Sequence, residues 1–321
     1  MSETISAVSP KKSLGLYMRK YNLLLLFLVF FLLGALSSPK FMTMQNLLNI
    51  LQQSSFVGIV SIGMTFVIIV AGIDLSVGSV LALSGMVVSL LLVSGMNPIL
   101  AIMLTLIIGG LIGMMSGFFA TKLRVPAFIA TLAVMVSARG LALLLTDGKP
   151  VYHLPDSFQV LGGTLFNKIP IVGVLWVLLT ILAMVILNYT TFGRKLYAIG
   201  GNAESAKLSG IQVNKYTLLT FGISGITASI AGIMMVAWLT VGQPTAGQGM
   251  ELDAIAAVVL GGASLFGGKG GVGGTFVGVL IMSMITNIFN LLGLSSYYQS
   301  IFMGGIIVGA LVLNQFVFNK K

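Results

Sequence analysis

Ten apolar runs, separated by short polar breaks, order this chain: 22–38, 55–72, 77–95, 98–120, 126–146, 170–190, 216–241, 253–267, 271–292 and 297–318. A helix of about 20 residues crosses a hydrocarbon core, and shorter runs are accommodated by tilt or burial, so each run predicts a membrane span. At 41–53, FMTMQNLLNILQQ, apolar residues recur at helical spacing with Gln and Asn opposite. That pattern predicts a separate amphipathic helix at the outer interface, a lid or packing element. The longest polar interruption after the first apolar run is Phe192 to Val213, FGRKLYAIGGNAESAKLSGIQV. Within it Asn202 suits an N-cap, Glu204 falls where a carboxylate complements the helix dipole, and Gly210 suits a C-terminal stop. A helix of about two turns over 203–209 follows, too short to stand alone. It needs the ends of its own bundle or a soluble partner to lie against; a solvated loop with a basic face is the alternative.

Composition places these runs in a membrane. Hydrophobic residues make up 57% of the chain and charged ones 7%, with a mean hydropathy of +1.08, whereas soluble domains carry about 25% charged residues. The expected fold class is an all-α polytopic membrane protein of about ten transmembrane helices, with a polar N-terminal segment (1–21), one membrane domain (22–319) containing the polar loop 191–215, and a short tail (320–321). The net charge of +10 sits in the breaks between apolar runs, so it is assigned to topology and not to nucleic acid. With the N-terminus inside, Lys11, Lys12, Arg19, Lys20, Lys122, Arg124, Arg194, Lys195, Lys207, Lys215, Lys269, Lys320 and Lys321 all fall inside, against Lys40, Lys149 and Lys168 outside. Both termini are therefore expected in the cytoplasm. Ala35-Leu36-Ser37 offers small residues, but the flanking chain is equally hydrophobic and signal-peptide cleavage is not expected.

Chemistry is excluded more readily than assigned. Zero cysteines and a single histidine, His153, leave no disulfide framework, thiolate site or metal cluster. GKGGVG at 268–273 matches G-x-G-x-x-G only by composition, because that fingerprint has meaning inside a βαβ unit, and no P-loop pattern occurs. Polar residues at membrane depth carry the signal. Ser283, Thr286, Asn287 and Asn290 share one face of the ninth run; they line a path for a neutral, hydroxyl-rich solute or act as interhelical glue. Ser54, Ser55, Ser61 and Thr65 are weaker candidates of the same kind. Asp74 is expected to cap the incoming third helix, and Arg139 to have a structural role with a carboxylate or a helix C-terminus as partner. Glu251 and Asp253 are placed at the outer mouth, as caps of the eighth helix or as docking groups for a basic partner. Gly109, Gly113 and Gly117, Gly274 and Gly278, and Gly305 and Gly309 form small-residue ladders for close helix packing.

Six segments, NLLNILQQ, GIDLSVGS, RVPAFIATL, AIGGNAESAKLSGIQVNK, QPTAGQGMELDAIAAVVLGGASLFGGKG and NLLGLSSYYQ, span nearly the whole chain in order. In them the chain resembles the permease subunits of bacterial ATP-binding-cassette sugar importers, whose sugars include ribose, xylose, arabinose, allose and autoinducer-2; ribose is the expected sugar. The resemblance implies a non-catalytic, homodimeric permease of the bacterial cytoplasmic (inner) membrane with the path near the two-fold axis. It implies a cytoplasmic ATPase that consumes the ATP, an extracytoplasmic sugar-binding protein, and no cofactor on this chain. It also implies a coupling helix over 201–210, with Gly201, Asn202, Glu204, Ser205, Ala206, Leu208 and Gly210 at the ATPase contact. An ion-coupled secondary transporter and an intramembrane enzyme are the rival classes. The first would show acidic residues or histidines at mid-membrane, the second a nucleophile with its base or a metal-ligand set.

Overall fold

The computed structural model describes residues 10–295 together with 297–299, 301, 302, 304, 305, 308 and 309. Apart from one two-residue hairpin, Thr164–Leu165 against Ile169–Pro170, the described chain is helices and their connections. In order these are α1 (Pro10–Ser37), α2 (Met44–Ile69), α3 (Val77–Val93), α4 (Pro98–Thr121), α5 (Ala127–Leu144), α6 (Asp156–Gln159), α7 (Ile171–Tyr189), α8 (Thr191–Gly201), α9 (Ala203–Leu208), α10 (Val213–Leu239), α11 (Met250–Leu260) and α12 (Val272–Leu291). Six of them, α2, α4, α5, α7, α10 and α12, are long and apolar enough to cross a membrane, and α3 and residues Leu23–Ser37 of α1 are shorter apolar helices.

Three expectations change. The amphipathic stretch at 41–53 is not separate. Thr43 caps a helix that continues through it to Ile69, because no Gly or Pro interrupts the sequence before Gly58. The run at 253–267 is not a full span. Its helix ends at Leu260, and eleven residues rise only about 16 Å, roughly half a hydrocarbon core. The polar interruption holds two helices instead of one, α8 preceding the expected short one. The tenth run is described only through residue 309; 310–318, the tail 320–321 and residues 1–9 lie outside the described residues.

The bundle centres on α2 and α10. Sixteen consecutive positions of α2, from Ser54 through Ile69, are buried except Val57, which marks α2 as a helix enclosed by protein rather than lipid. Small residues set its distances. A Cβ on Gly113 of α4 would collide with Phe221 O of α10, and one on Gly225 with Gly109 O, so the first glycine ladder packs inside the chain. Gly274 and Gly278 likewise receive Gly261 O and Ala257 O. Gly305 and Gly309 have no described atom within 4 Å of an added Cβ.

Two interruptions of the helices bring the starts of α3 and α11 together. Residues 70–76 lead from α2 into α3, and 240–249 lead from α10 into α11. The first turns of α3 and α11 touch: a Cβ on Gly78 would collide with Gly247 O and with the Glu251 carboxylate. Arg139 of α5 ties the junction by donating to Pro244 O at 2.8 Å, Ala246 O at 2.9 Å and Gly78 O at 3.3 Å. Gly249, at φ +82°, turns the chain into α11 in a conformation that L side chains rarely adopt.

Candidate functional site: a polar cavity and a two-helix loop

A cavity of about 510 Å³ lies where α2, α11, α12 and the segment after α12 converge. Ile50, Val57, Leu252, Val279 and Met282 form its apolar walls. Its polar groups are the carboxamides of Gln53, Gln248, Asn287 and Gln299, the hydroxyls of Ser283 and Thr286, and the carboxylate of Asp253. No Lys, Arg or His lines it among the described residues. Apolar walls that carry polar groups able to orient a solute are the usual make-up of a small-solute site, and the volume falls in the usual range.

Of the polar face foreseen on α12, Ser283, Thr286 and Asn287 line this cavity, whereas Asn290 lies outside it and is exposed. Two of the three also bond between helices. Asn287 and Asn46 of α2 exchange both carboxamide hydrogen bonds, at 3.0 and 2.8 Å. The Thr286 hydroxyl accepts from Gln299 Nε2 at 2.9 Å. The path and glue readings therefore coexist on one helix face, divided residue by residue. Ser54, Ser55, Ser61 and Thr65 are buried within α2, and Thr65 meets Thr275 of α12 at 2.8 Å.

Glu251 and Asp253 separate. Glu251 points at Gly78 and lends its charge to Arg139, while Asp253 is in the cavity wall. Their sequence spacing held no sign of this, because it depends on how deep the chain re-enters before α11. Gln53 and Gln248 went unremarked as site residues; the signal was present in the polar edge of 41–53 and in the QPTAGQGMELD segment. Arg139 has a partner of each kind except a helix C-terminus: the Glu251 charge and three loop or first-turn carbonyls. Asp74 accepts from the Ser76 N–H at 3.0 Å and the Ser76 hydroxyl at 2.6 Å. Ser76 is the residue preceding α3 and makes no side-chain cap of its own, so Asp74 shapes the turn into the helix rather than bonding its first-turn amides.

The second locus is the loop between α7 and α10. Asn202 Oδ1 accepts from the Ser205 N–H at 2.8 Å, Glu204 lies in the first turn, and Lys207 in the last. Gly210 has φ +81°, and Ile211 N–H reaches back to Ala206 O at 3.0 Å, closing the helix through a left-handed residue. The face is the reverse of that expected at one position. Ala206 is 4% exposed and joins the chain's own core, while Leu208 is 85% exposed. Gly201, Asn202, Glu204, Ser205 and Gly210 are exposed as well. Six residues cannot hold a helix in place without an anchor, and Ala206 is small enough to provide one. Beneath α9 a second cavity of about 860 Å³ is bordered by Lys122, Glu204, Lys207 and Lys215.

α8 connects this loop to the bundle. A Cβ on Gly200 would collide with Ile69 O at the end of α2, the Gly268 N–H donates to the same oxygen at 2.9 Å, and the Tyr197 hydroxyl donates to Gly270 O at 2.7 Å. Burial pushes the Tyr197 phenol above its ordinary pKa. One contact set thus joins α8 to the end of α2 and to the glycine-rich connection between α11 and α12, and α2, α11 and α12 line the cavity elsewhere along their length.

A multi-pass helical protein with a cavity lined by amides, hydroxyls and a carboxylate belongs, as a class, among membrane transport proteins. Over residues 46–311 the chain matches the family described as branched-chain amino acid transport system / permease component, and it belongs to that family. It is 44% identical over 300 residues, 93% of each chain, to the ribose import permease protein RbsC of Bacillus subtilis (strain 168). It is 43% identical over 290 residues to RbsC of Haemophilus influenzae, covering 88% of this chain and 89% of the other. With the D-allose transport system permease protein AlsC of Escherichia coli (strain K12) it shares 36% identity over 316 residues, 97% of both. No solved structure matches it.

Proposed function

We propose that this chain is the permease subunit of an ATP-driven importer of a monosaccharide, ribose, in a bacterial cytoplasmic membrane. The observation that carries the reading is the cavity, whose amides, hydroxyls and single carboxylate suit an uncharged polyol, in a chain 44% identical along 93% of its length to a ribose import permease. Two copies place their cavities beside a shared two-fold axis. A sugar-binding protein delivers the solute on the outer face, and a cytoplasmic ATPase grips α9. Leu208 is the apolar anchor of that grip, with Glu204, Ser205 and Lys207 around it; Ala206 seats the helix on its own bundle. ATP-driven closure of the ATPase displaces α9 and α8. The contacts of Gly200 with Ile69 O and of Tyr197 with Gly270 O carry the displacement to α2 and to the α11–α12 connection, and the cavity opens alternately to either side. No bond of the sugar is made or broken.

Asp253 in the cavity is a feature that an ion-coupled transporter would share, since such carriers place acidic groups on the solute path. Vesicles containing the permease, its ATPase and its binding protein separate the two. Uptake of labelled ribose with internal ATP and no ion gradient supports the importer, and uptake that needs a proton or sodium gradient and ignores ATP refutes it. Uptake of allose in preference to ribose leaves the mechanism standing and moves the sugar.

A further inference from the structure

The polar groups of the cavity divide by how they are bonded. Asn287 is committed to Asn46, and Thr286 to Gln299. The side chains of Asp253, Gln53, Gln248 and Ser283 make no hydrogen bond with any described residue, although all four line the cavity. The Asp253 carboxylate is half-buried among Leu252, Val279 and Met282, in the first turn of α11, and the charged group acting on it is Glu251, a like charge.

A carboxylate withdrawn from water into an apolar wall has lost hydrogen bonds that it must regain from whatever occupies the cavity. It accepts only, so the occupant must donate. Adjacent hydroxyls of a sugar can donate to its two oxygens, and Gln53 and Gln248 both donate and accept, which matches the dual character of the remaining hydroxyls. The same arrangement excludes: a sugar phosphate or sugar acid meets a negative charge with no cation among the described residues of the wall to offset it.

We propose that Asp253 is the specificity-determining residue of the path, its carboxylate accepting from the hydroxyls of an uncharged sugar in transit while Gln53, Gln248 and Ser283 complete the contact. This rests on reading the cavity as the solute path. One carboxylate and three neutral partners make a station that a sugar enters and also leaves, as conduction requires.

The test uses the assembled complex, permease with ATPase and binding protein, in vesicles. Uptake of ribose and of its 2-, 3- and 5-deoxy analogues is measured for wild type, Asp253→Asn, Asp253→Leu and Asp253→Glu. Results are expressed as the variant-to-wild-type ratio for each sugar, so that the binding protein's own preference cancels. Hydrogen bonds to a charged group set the scale of the loss, about ten- to a hundredfold for ribose in Asp253→Asn and Asp253→Leu. For at least one deoxy analogue, the one lacking the contacted hydroxyl, the loss is expected to stay below about threefold, and Asp253→Glu recovers part of the ribose rate. Co-purification of the ATPase is expected to match wild type. Ribose uptake within about twofold of wild type in both Asp253→Asn and Asp253→Leu overturns the proposal. So does an equal loss for every sugar, or a loss that follows membrane abundance, either of which makes Asp253 structural. Wild-type vesicles that accumulate no sugar with ATP overturn the path reading itself, a result visible before any variant is compared.

Discussion

Replacing Asn287 by leucine removes both halves of the carboxamide exchange with Asn46, at 3.0 and 2.8 Å. Asn46 is 8% exposed and retains one bond, from its Nδ2 to Phe41 O at 3.0 Å. Its Oδ1 and its second N–H are left buried without a partner. An orphaned buried polar group costs about 1 to 3 kcal/mol, and hydrogen bonds between membrane helices measured by double-mutant cycles are worth about 0.6 to 1.7 kcal/mol. Asn287→Leu should therefore destabilise the permease by about 2 kcal/mol, and Asn46→Leu by a similar amount. The double replacement, which leaves no orphan, should be less destabilised than the sum of the two by about 1 kcal/mol. Unfolding of purified permease in mixed micelles by increasing detergent denaturant reads all four corners of the cycle. Additivity within about 0.3 kcal/mol would refute the argument, because it would mean that the two amides do not sense each other.

Other outcomes follow from the same geometry. Leu208→Asp should leave the permease inserted and as stable as wild type, since the side chain is 85% exposed, while reducing ATPase co-purification at least tenfold; retained co-purification would mean that α9 is not the gripped element. Ala206→Trp should lower stability by about 1 to 3 kcal/mol by overpacking the core contact of α9, so membrane abundance falls along with docking. Gly113→Leu should abolish accumulation of folded protein, because its side chain would have to occupy the place of the α10 backbone; normal abundance would refute the α4–α10 packing. Arg139→Lys keeps the charge but loses the fork that reaches Pro244, Ala246 and Gly78, and limited proteolysis should cut within 240–249 faster than in wild type.

Helices that span were legible because a period of apolar residues and its interruption by polar ones are local properties. The cap of α9 was legible for the same reason: Asn202, Glu204 and Gly210 act within their own turn. Depth and direction were not. Asp253 and Glu251 stand two residues apart in one sequence motif, yet one lines the cavity and the other meets Gly78. That division depends on 240–249 re-entering the bundle, which is held by carbonyl bonds to Arg139 from another helix. The side on which Ala206 packs was not legible on the same ground. Its size marks a close-packed contact correctly, but a small residue does not say whether its neighbour is the same chain or a partner, and Leu208, two residues further on, is the exposed one.

The two interruptions have a common physical logic. Non-helical backbone at membrane depth survives only where protein or a polar cavity satisfies it, and here Arg139 of α5 satisfies carbonyls of the 240–249 segment. The 240–249 segment brings carbonyls to Arg139 and Gly247 O to the first turn of α3, while Gly78, having no Cβ, lets that approach occur. Two helix N-termini meeting in this way concentrate positive partial charge, and Glu251 stands at the contact with its carboxylate, which also offsets Arg139. With Glu251 spent on that balance, Asp253 remains to the cavity. The same break that ends α10 and starts α11 therefore both joins α5 to the start of α3 and turns one carboxylate toward the cavity, so any displacement of α11 would act on the cavity at its only charged side chain among the described residues.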